Sequence, residues 1–182
     1  MEELEELKER LETQRPVDWD LLPDLNLYMD QVVGYVSRQL IQYGQGEPLT
    51  SAMVNNYIKD GLLPRADGKR YSRTHLAYLT AICTMKQVLP VRDAGLLARA
   101  EEGEARIMYD RFQRALDLAL KDTAGRLDTD CPREELADLA LSLALRSYAD
   151  KLACERVIDL IRQDMPEESK KTRKSRKENK HE

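Results

Sequence analysis

Cysteine, histidine and long apolar runs are all scarce in this 182-residue chain, and each scarcity closes off a class of function. The three cysteines, Cys83, Cys131 and Cys154, are an odd number without CxxC spacing. They offer neither a disulfide framework nor a zinc site, and read as small buried hydrophobes in a reducing compartment. The two histidines, His75 and His181, have no Cys, Asp or Ser partner in a nucleophile pattern, and His75 reads as a surface residue or a phosphate contact. No apolar run approaches the ~20 residues that span a bilayer, and the opening MEELEELKERLE is too charged for a signal peptide. A glycine-rich phosphate loop is missing, as is any His/Cys cluster, so no cofactor and no metal is expected. Paired carboxylates such as Glu101-Glu102 and Glu134-Glu135 fall on helix surfaces and first turns, where acids favour the helix dipole. The expectation is a soluble, cytoplasmic protein that is not an enzyme and does not enter a membrane.

What is present is charge, unevenly placed. The net charge of -4 averages an acidic start (net -7 over residues 1–30), a basic island (net +5 over residues 48–92), a second acidic stretch (net -5 over 93–165) and a basic tail (net +3 from Pro166). A basic island in an acidic chain attracts phosphate at one place and repels it elsewhere, so binding would be oriented and salt-sensitive.

Helical spacing dominates the remainder. Residues 2–13 read as an acidic helix stopped near Pro16, where the missing amide hydrogen breaks the pattern. The stretch 24–43 reads as a second helix ended by Gly44-Gln45-Gly46, and Thr50 caps a short third one stopped at Gly61. Ser72 caps a fourth that Pro90 punctuates. Residues 91–102 and 104–121 read as two more, and Asp130-Cys131-Pro132 opens a last helix of some thirty residues. Its stripe of Leu136, Leu139, Leu143, Tyr148, Leu152, Val157, Ile158 and Ile161, broadened by Leu141 and Leu145, is more than a solitary exposed helix tolerates.

The third helix and the loop after it carry the functional signal. At about 100° per residue, Met53, Val54, Tyr57 and Ile58 share one arc, while Ser51, Ala52, Asn55, Asn56 and Lys59 fill the other. The first arc is core; the second offers amides able to read adenine edges and a lysine suited to phosphate. In the loop, RADGKRYS places Asp67-Gly68, a hairpin-turn pair, between Arg65 and Lys69-Arg70, which predicts a two-stranded wing anchored by Tyr71.

TSAMVNNYIKDGLLPR with KRYSRTHLAYL after it resembles the MerR-type winged helix, with its tyrosine, Gly-Leu-Leu-Pro and Arg-Tyr-Ser. Together with LYMDQVVGYV and the run on to KQVLPV, these segments resemble the bacterial domain-of-unknown-function family numbered 1836 over about residues 18 to 110. The MerR-type resemblance implies that Tyr57 matches the aromatic before Gly61-Leu62-Leu63-Pro64, and that Lys69, Arg70 and Tyr71 match the wing. Asn55 stands where MerR-type proteins often place arginine, and the long first helix departs from their short entry, so base preference is not carried over. MerR-type regulators also dimerise through a long C-terminal helix. Residues 133–164 could serve, though their apolar pattern is broad for a two-stranded seam and suits a small bundle better.

The expected fold is mainly helical, all-α with a short β-hairpin wing: an acidic helical extension over 1–17, a MerR-like winged helix-turn-helix domain over 18–103, a C-terminal helical segment over 104–165 and a basic disordered tail over 166–182. The expected function is a transcription regulator binding double-stranded DNA. In it, residues 51–59 enter a major groove through Ser51, Asn55, Asn56 and Lys59, while Arg65, Lys69, Arg70, Tyr71 and Arg73 form the phosphate-contacting wing. A homodimer through the C-terminal helices is expected, and no small-molecule effector is legible. The alternative is a helical protein-interaction adaptor without DNA binding.

Overall fold

In the computed structural model, which describes residues 2–39, 48–99 and 105–164, local chemistry sets most helix ends. Thr50 opens a helix by accepting the Met53 amide on its hydroxyl at 3.2 Å, leaving Ser51–Lys59 helical. Gly61 ends it with φ +72, a left-handed turn that costs glycine nothing. At two other helix starts a side chain three residues in reaches back to the preceding amide. Gln31 accepts from Tyr28 N at 2.9 Å and His75 Nδ1 accepts from Ser72 N at 3.0 Å. In order, the helices are α1 (Glu2–Thr13), α2 (Met29–Gln39), α3 (Ser51–Lys59), α4 (Arg73–Met85), α5 (Val91–Arg99), α6 (Ala105–Arg126) and α7 (Leu136–Asp164), with 3-10 turns at Trp19–Leu21 and Arg133–Glu135. Residues Met1–Arg133 form one compact unit and Glu134–Glu182 a second.

In the first unit α4 is the hub. It packs against α2, α5 and α6, and Leu76, Ala77, Leu79, Ala81, Ile82 and Cys83 are buried along it. Burial pushes the Cys83 thiol up to about 11, so it stays protonated and serves as packing. No disulfide joins Cys83, Cys131 or Cys154. Val32 and Val36 of α2, and Val54 and Tyr57 of α3, bring the apolar arcs of those helices into the same core. The turn after α3 is held from outside: a Cβ on Gly95 of α5 would lie 2.5 Å from Leu62 Cδ2, so any larger residue there would force the Leu62 side chain to shift.

The acidic N-terminal helix also belongs to this unit. α1 packs on α6, and the segment behind it is strapped to that helix. Arg15 Nε meets Asp117 at 2.8 Å, Gln113 Nε2 donates to the carbonyls of Pro16 and Val17, and Tyr109 Oη donates to Val17 O at 3.0 Å. Hydrogen bonds from Lys121 and Arg15 hold the Asp117 carboxyl below its usual range. Burial pushes the Tyr109 phenol up.

In the second unit, α7 runs 29 residues, about 44 Å at 1.5 Å per residue. Leu141, Leu145, Tyr148 and Leu152 are between 48% and 62% exposed.

Two sequence expectations need correction. The β-hairpin wing is not there: among the described residues there is no strand, only two isolated antiparallel bridges, Asp67 with Arg70 and Leu27 with Tyr71. Pairing cannot grow because Pro64 lacks an amide hydrogen just upstream, Ser72 already begins the α4 cap, and Tyr71 spends its hydrogen bonds on Leu27. The fold is all-α with a loop where the wing was expected. The turn is also centred one residue later than the Asp67-Gly68 pair suggested: Asp67 and Arg70 exchange hydrogen bonds at 3.0 and 3.1 Å, so Gly68 (φ +61) and Lys69 form its tip. The expected Gly44-Gln45-Gly46 stop, the final residues of the helix predicted over 91–102 and the basic tail lie outside the described residues.

Candidate nucleic-acid interface

The start of α2, the polar arc of α3 and the loop tip meet in one open groove of about 460 Å³, lined by Tyr28, Met29, Asp30, Ser51, Asn55, Gly68, Lys69 and Tyr71. Backbone pairing closes its base. Leu27 N donates to Tyr71 O and Tyr71 N to Leu27 O, both at 2.9 Å, which fixes the first turn of α2 to the root of the loop.

Four of the nine residues singled out from sequence line this groove: Ser51, Asn55, Lys69 and Tyr71. Ser51 and Asn55 are exposed on α3, where one turn separates them on the same face. Asn56 and Lys59 are exposed but lie outside the lining, as does Arg65 at the foot of the loop. Tyr71 is buried, with its ring edge-on to His75 at 5.4 Å, and works as the anchor of the loop. Arg70, exposed, stands at the rim with its guanidinium 5.6 Å over the Tyr28 ring.

Arg73 and His75 differ from their expected roles. Arg73 NH2 pairs with Asp24 at 3.3 Å, its guanidinium lies 5.8 Å over Trp19, and its side chain is only 23% exposed. It ties the start of α4 to the segment before α2. His75 is buried at 5% exposure, neither a surface residue nor placed to touch phosphate. Its Nδ1 accepts the Ser72 amide, so the neutral ring carries its proton on Nε2, which is buried toward the main chain of Pro64 and Arg65. Burial lowers its pKa below the ordinary 6.5, against an opposing pull from the main chain of Pro64 and Arg65.

That shift gives a pH prediction. The unfolded chain binds the proton more tightly than the folded one, so this contribution to stability is whole above 6.5 and is lost as pH falls through the lower folded value. His75→Gln keeps an acceptor at the capping position and removes the titration. Urea midpoints at about pH 7 and about pH 5 should therefore fall further for the wild type than for the variant. Equal falls would show that His75 does not set the acid limb.

Sequence reasoning missed Tyr28, Met29 and Asp30. The signal was available in Gln31, which marks a helix start by its spacing from Tyr28, whereas the pattern had suggested a start near Asp24. Among the described residues, no group of three or more His, Cys, Asp or Glu is placed to hold a metal ion, and no helix is long and apolar enough to cross a membrane.

Residues 17–111 match the family model described as Domain of unknown function (DUF1836). No curated protein matches the chain, and no solved structure does.

Proposed function

We propose that this chain, which belongs to the family described as Domain of unknown function (DUF1836), binds double-stranded DNA as a transcription regulator. In this reading α2 and α3 act as a helix-turn-helix of MerR-type character, with a basic loop in place of a wing. The observation that carries it is the single groove in which Ser51 and Asn55 of α3 meet Lys69 of the loop. An asparagine amide presents a donor and an acceptor together, the pair that adenine displays in a major groove. Lys69 at the exposed tip and Arg70 beside it bring a point charge and a planar fork to adjacent phosphates, and the exposed Lys59 and Arg65 add positive charge on α3 and at the foot of the loop. Arg73, engaged by Asp24 and Trp19, is left out of the phosphate set.

The test is duplex-DNA affinity across a salt series. Lys69→Ala with Arg70→Ala is expected to weaken binding on every sequence and to reduce the log–log salt slope by about two, one unit per phosphate contact. Asn55→Ala is expected to change the order of preference among sequences. Unchanged affinity in both variants would sink the assignment.

A second surface supports a self-associating regulator. Leu141, Leu145, Tyr148 and Leu152 recur at intervals of four, three and four on α7, and all four are exposed; Leu136, Val157 and Leu160, also exposed, broaden the apolar face as in a small bundle shared between copies. We assign this stripe to a second copy of the chain, which would present two α3 helices to two half-sites. The rival, a protein-interaction adaptor, draws on the same stripe. It takes precedence if the basic loop proves irrelevant to DNA.

A further inference from the structure

The first turn of α2 and Tyr28 just before it line the same groove as α3, and they bring an aromatic ring and a carboxylate that phosphate binding does not require. Tyr28 is 51% exposed, and the guanidinium of Arg70 lies over its ring. Stacking of this kind restrains a long side chain while leaving its N–H edge pointing away, free for an anion. Asp30 is exposed in the same lining as Lys69 and Asn55, and makes no ion pair among the described residues. As a first-turn acid it suits the helix dipole, but that accounts for an acid anywhere in the turn, not for one facing the groove.

We propose that the first turn of α2, with Tyr28 just before it, is a second wall of the DNA interface, in which Tyr28 positions Arg70 and Asp30 is a charge filter. This rests on the DNA-binding reading above. A carboxylate in a groove flanked by Lys69 and Arg70 has two effects of opposite value. It repels backbone phosphate that slides into the groove out of register, and it accepts from an amino group on a base edge, as cytosine N4 presents in a major groove. The first effect weakens binding to arbitrary sequence; the second is kept only on a matching one. Specificity then comes from penalising the wrong register as much as from rewarding the right one. The Leu27–Tyr71 hydrogen-bond pair couples the two walls, because the residue before Tyr28 and the residue after Arg70 are joined through their main chains.

The two residues should respond with opposite signs, which loss of structure cannot imitate. The full-length protein is titrated with a random-sequence duplex and with a duplex selected by it from a random pool. Asp30→Asn is expected to tighten the random duplex by about fivefold at low salt, on the order of one unit-charge contact in a water-rich setting. The gain should shrink as salt rises, and the ratio of selected to random affinity should narrow. Glu5→Gln makes the same charge change on the exposed face of α1 and is expected to leave both affinities alone. Tyr28→Ala is expected to weaken both duplexes by about two- to fivefold, Tyr28→Phe to behave as wild type, and Tyr28→Ala to add nothing in an Arg70→Ala background. An unchanged or weakened random duplex with Asp30→Asn would overturn the filter, as would an equal gain with Glu5→Gln. A Tyr28→Ala effect that persists without Arg70 would overturn the positioning role. If these failures accompany a normal response to Lys69→Ala with Arg70→Ala, only the second wall falls; if that pair also has no effect, the DNA-binding reading falls with it.

Discussion

Replacing Leu79 with alanine is expected to lower the unfolding free energy of the first unit by about 2–5 kcal/mol. Leu79 has no exposed surface, and it sits midway along the one helix that packs on α2, α5 and α6. Truncation there loses the transfer energy of the removed methyl groups, and the cavity left behind has walls on several sides that cannot all move in. Against a typical domain stability of about 5–15 kcal/mol, such a loss approaches half of the total. The measurement is the urea midpoint with unchanged slope, compared with Leu118→Ala on α6. Leu118 is 69% exposed, and its truncation should stay within about 0.5 kcal/mol of zero. A loss below about 1 kcal/mol at Leu79 would mean that α4 is not the hub its burial indicates.

Leu145→Glu is expected to abolish self-association through α7. In a seam made by Leu141, Leu145, Tyr148 and Leu152, a charge at Leu145 enters twice, once from each copy, and is taken out of water without a partner. Breaking an interface in that way costs about 3–5 kcal/mol per uncompensated charge, enough to move a micromolar dimer well beyond ordinary working concentrations. The separated copy should stay helical, because Leu145 is exposed in the single chain and glutamate is a good helix former. Sedimentation of wild type and variant over a concentration series decides the matter, and a wild-type protein that sediments as a monomer throughout would remove the seam.

What the sequence disclosed, and what it hid, divides by range. Thr50 and Gly61 announced both ends of α3 because capping depends on neighbours within one turn. The same locality made the polar arc of Ser51, Asn55, Asn56 and Lys59 readable. The family span of 17–111 likewise differs by one residue at each end from the one the motifs suggested. The loop was misjudged because Asp67-Gly68 is a hairpin signal only if the flanking residues are free to pair, and Tyr71 is committed to Leu27, forty-four positions away. Arg73 looked like a phosphate ligand until Asp24 and Trp19 met it from another segment. His75 looked exposed because its capping role needs only the Ser72 amide, while its burial depends on how α4 packs. The α3 side of the groove was thus legible and the side formed by Tyr28 and Asp30 was not, since it depends on the Leu27–Tyr71 pairing and on the packing of α2 against α3 and α4.

The seat of Leu62 against Gly95 bears on how this chain can vary in length. Between α3 and α4, the residues just after Gly61 are locked: their side chains are buried, and Leu62 and Leu63 both donate backbone hydrogen bonds to Tyr57 O. At the tip, by contrast, Gly68 and Lys69 are exposed, and a Cβ on Gly68 would meet no atom within 4 Å. Added length is therefore expected to disrupt the fold at Leu62-Leu63 but to leave it intact at Gly68-Lys69, where it would instead displace Lys69 from the groove, so this one connection sets the fold at one end and the groove at the other.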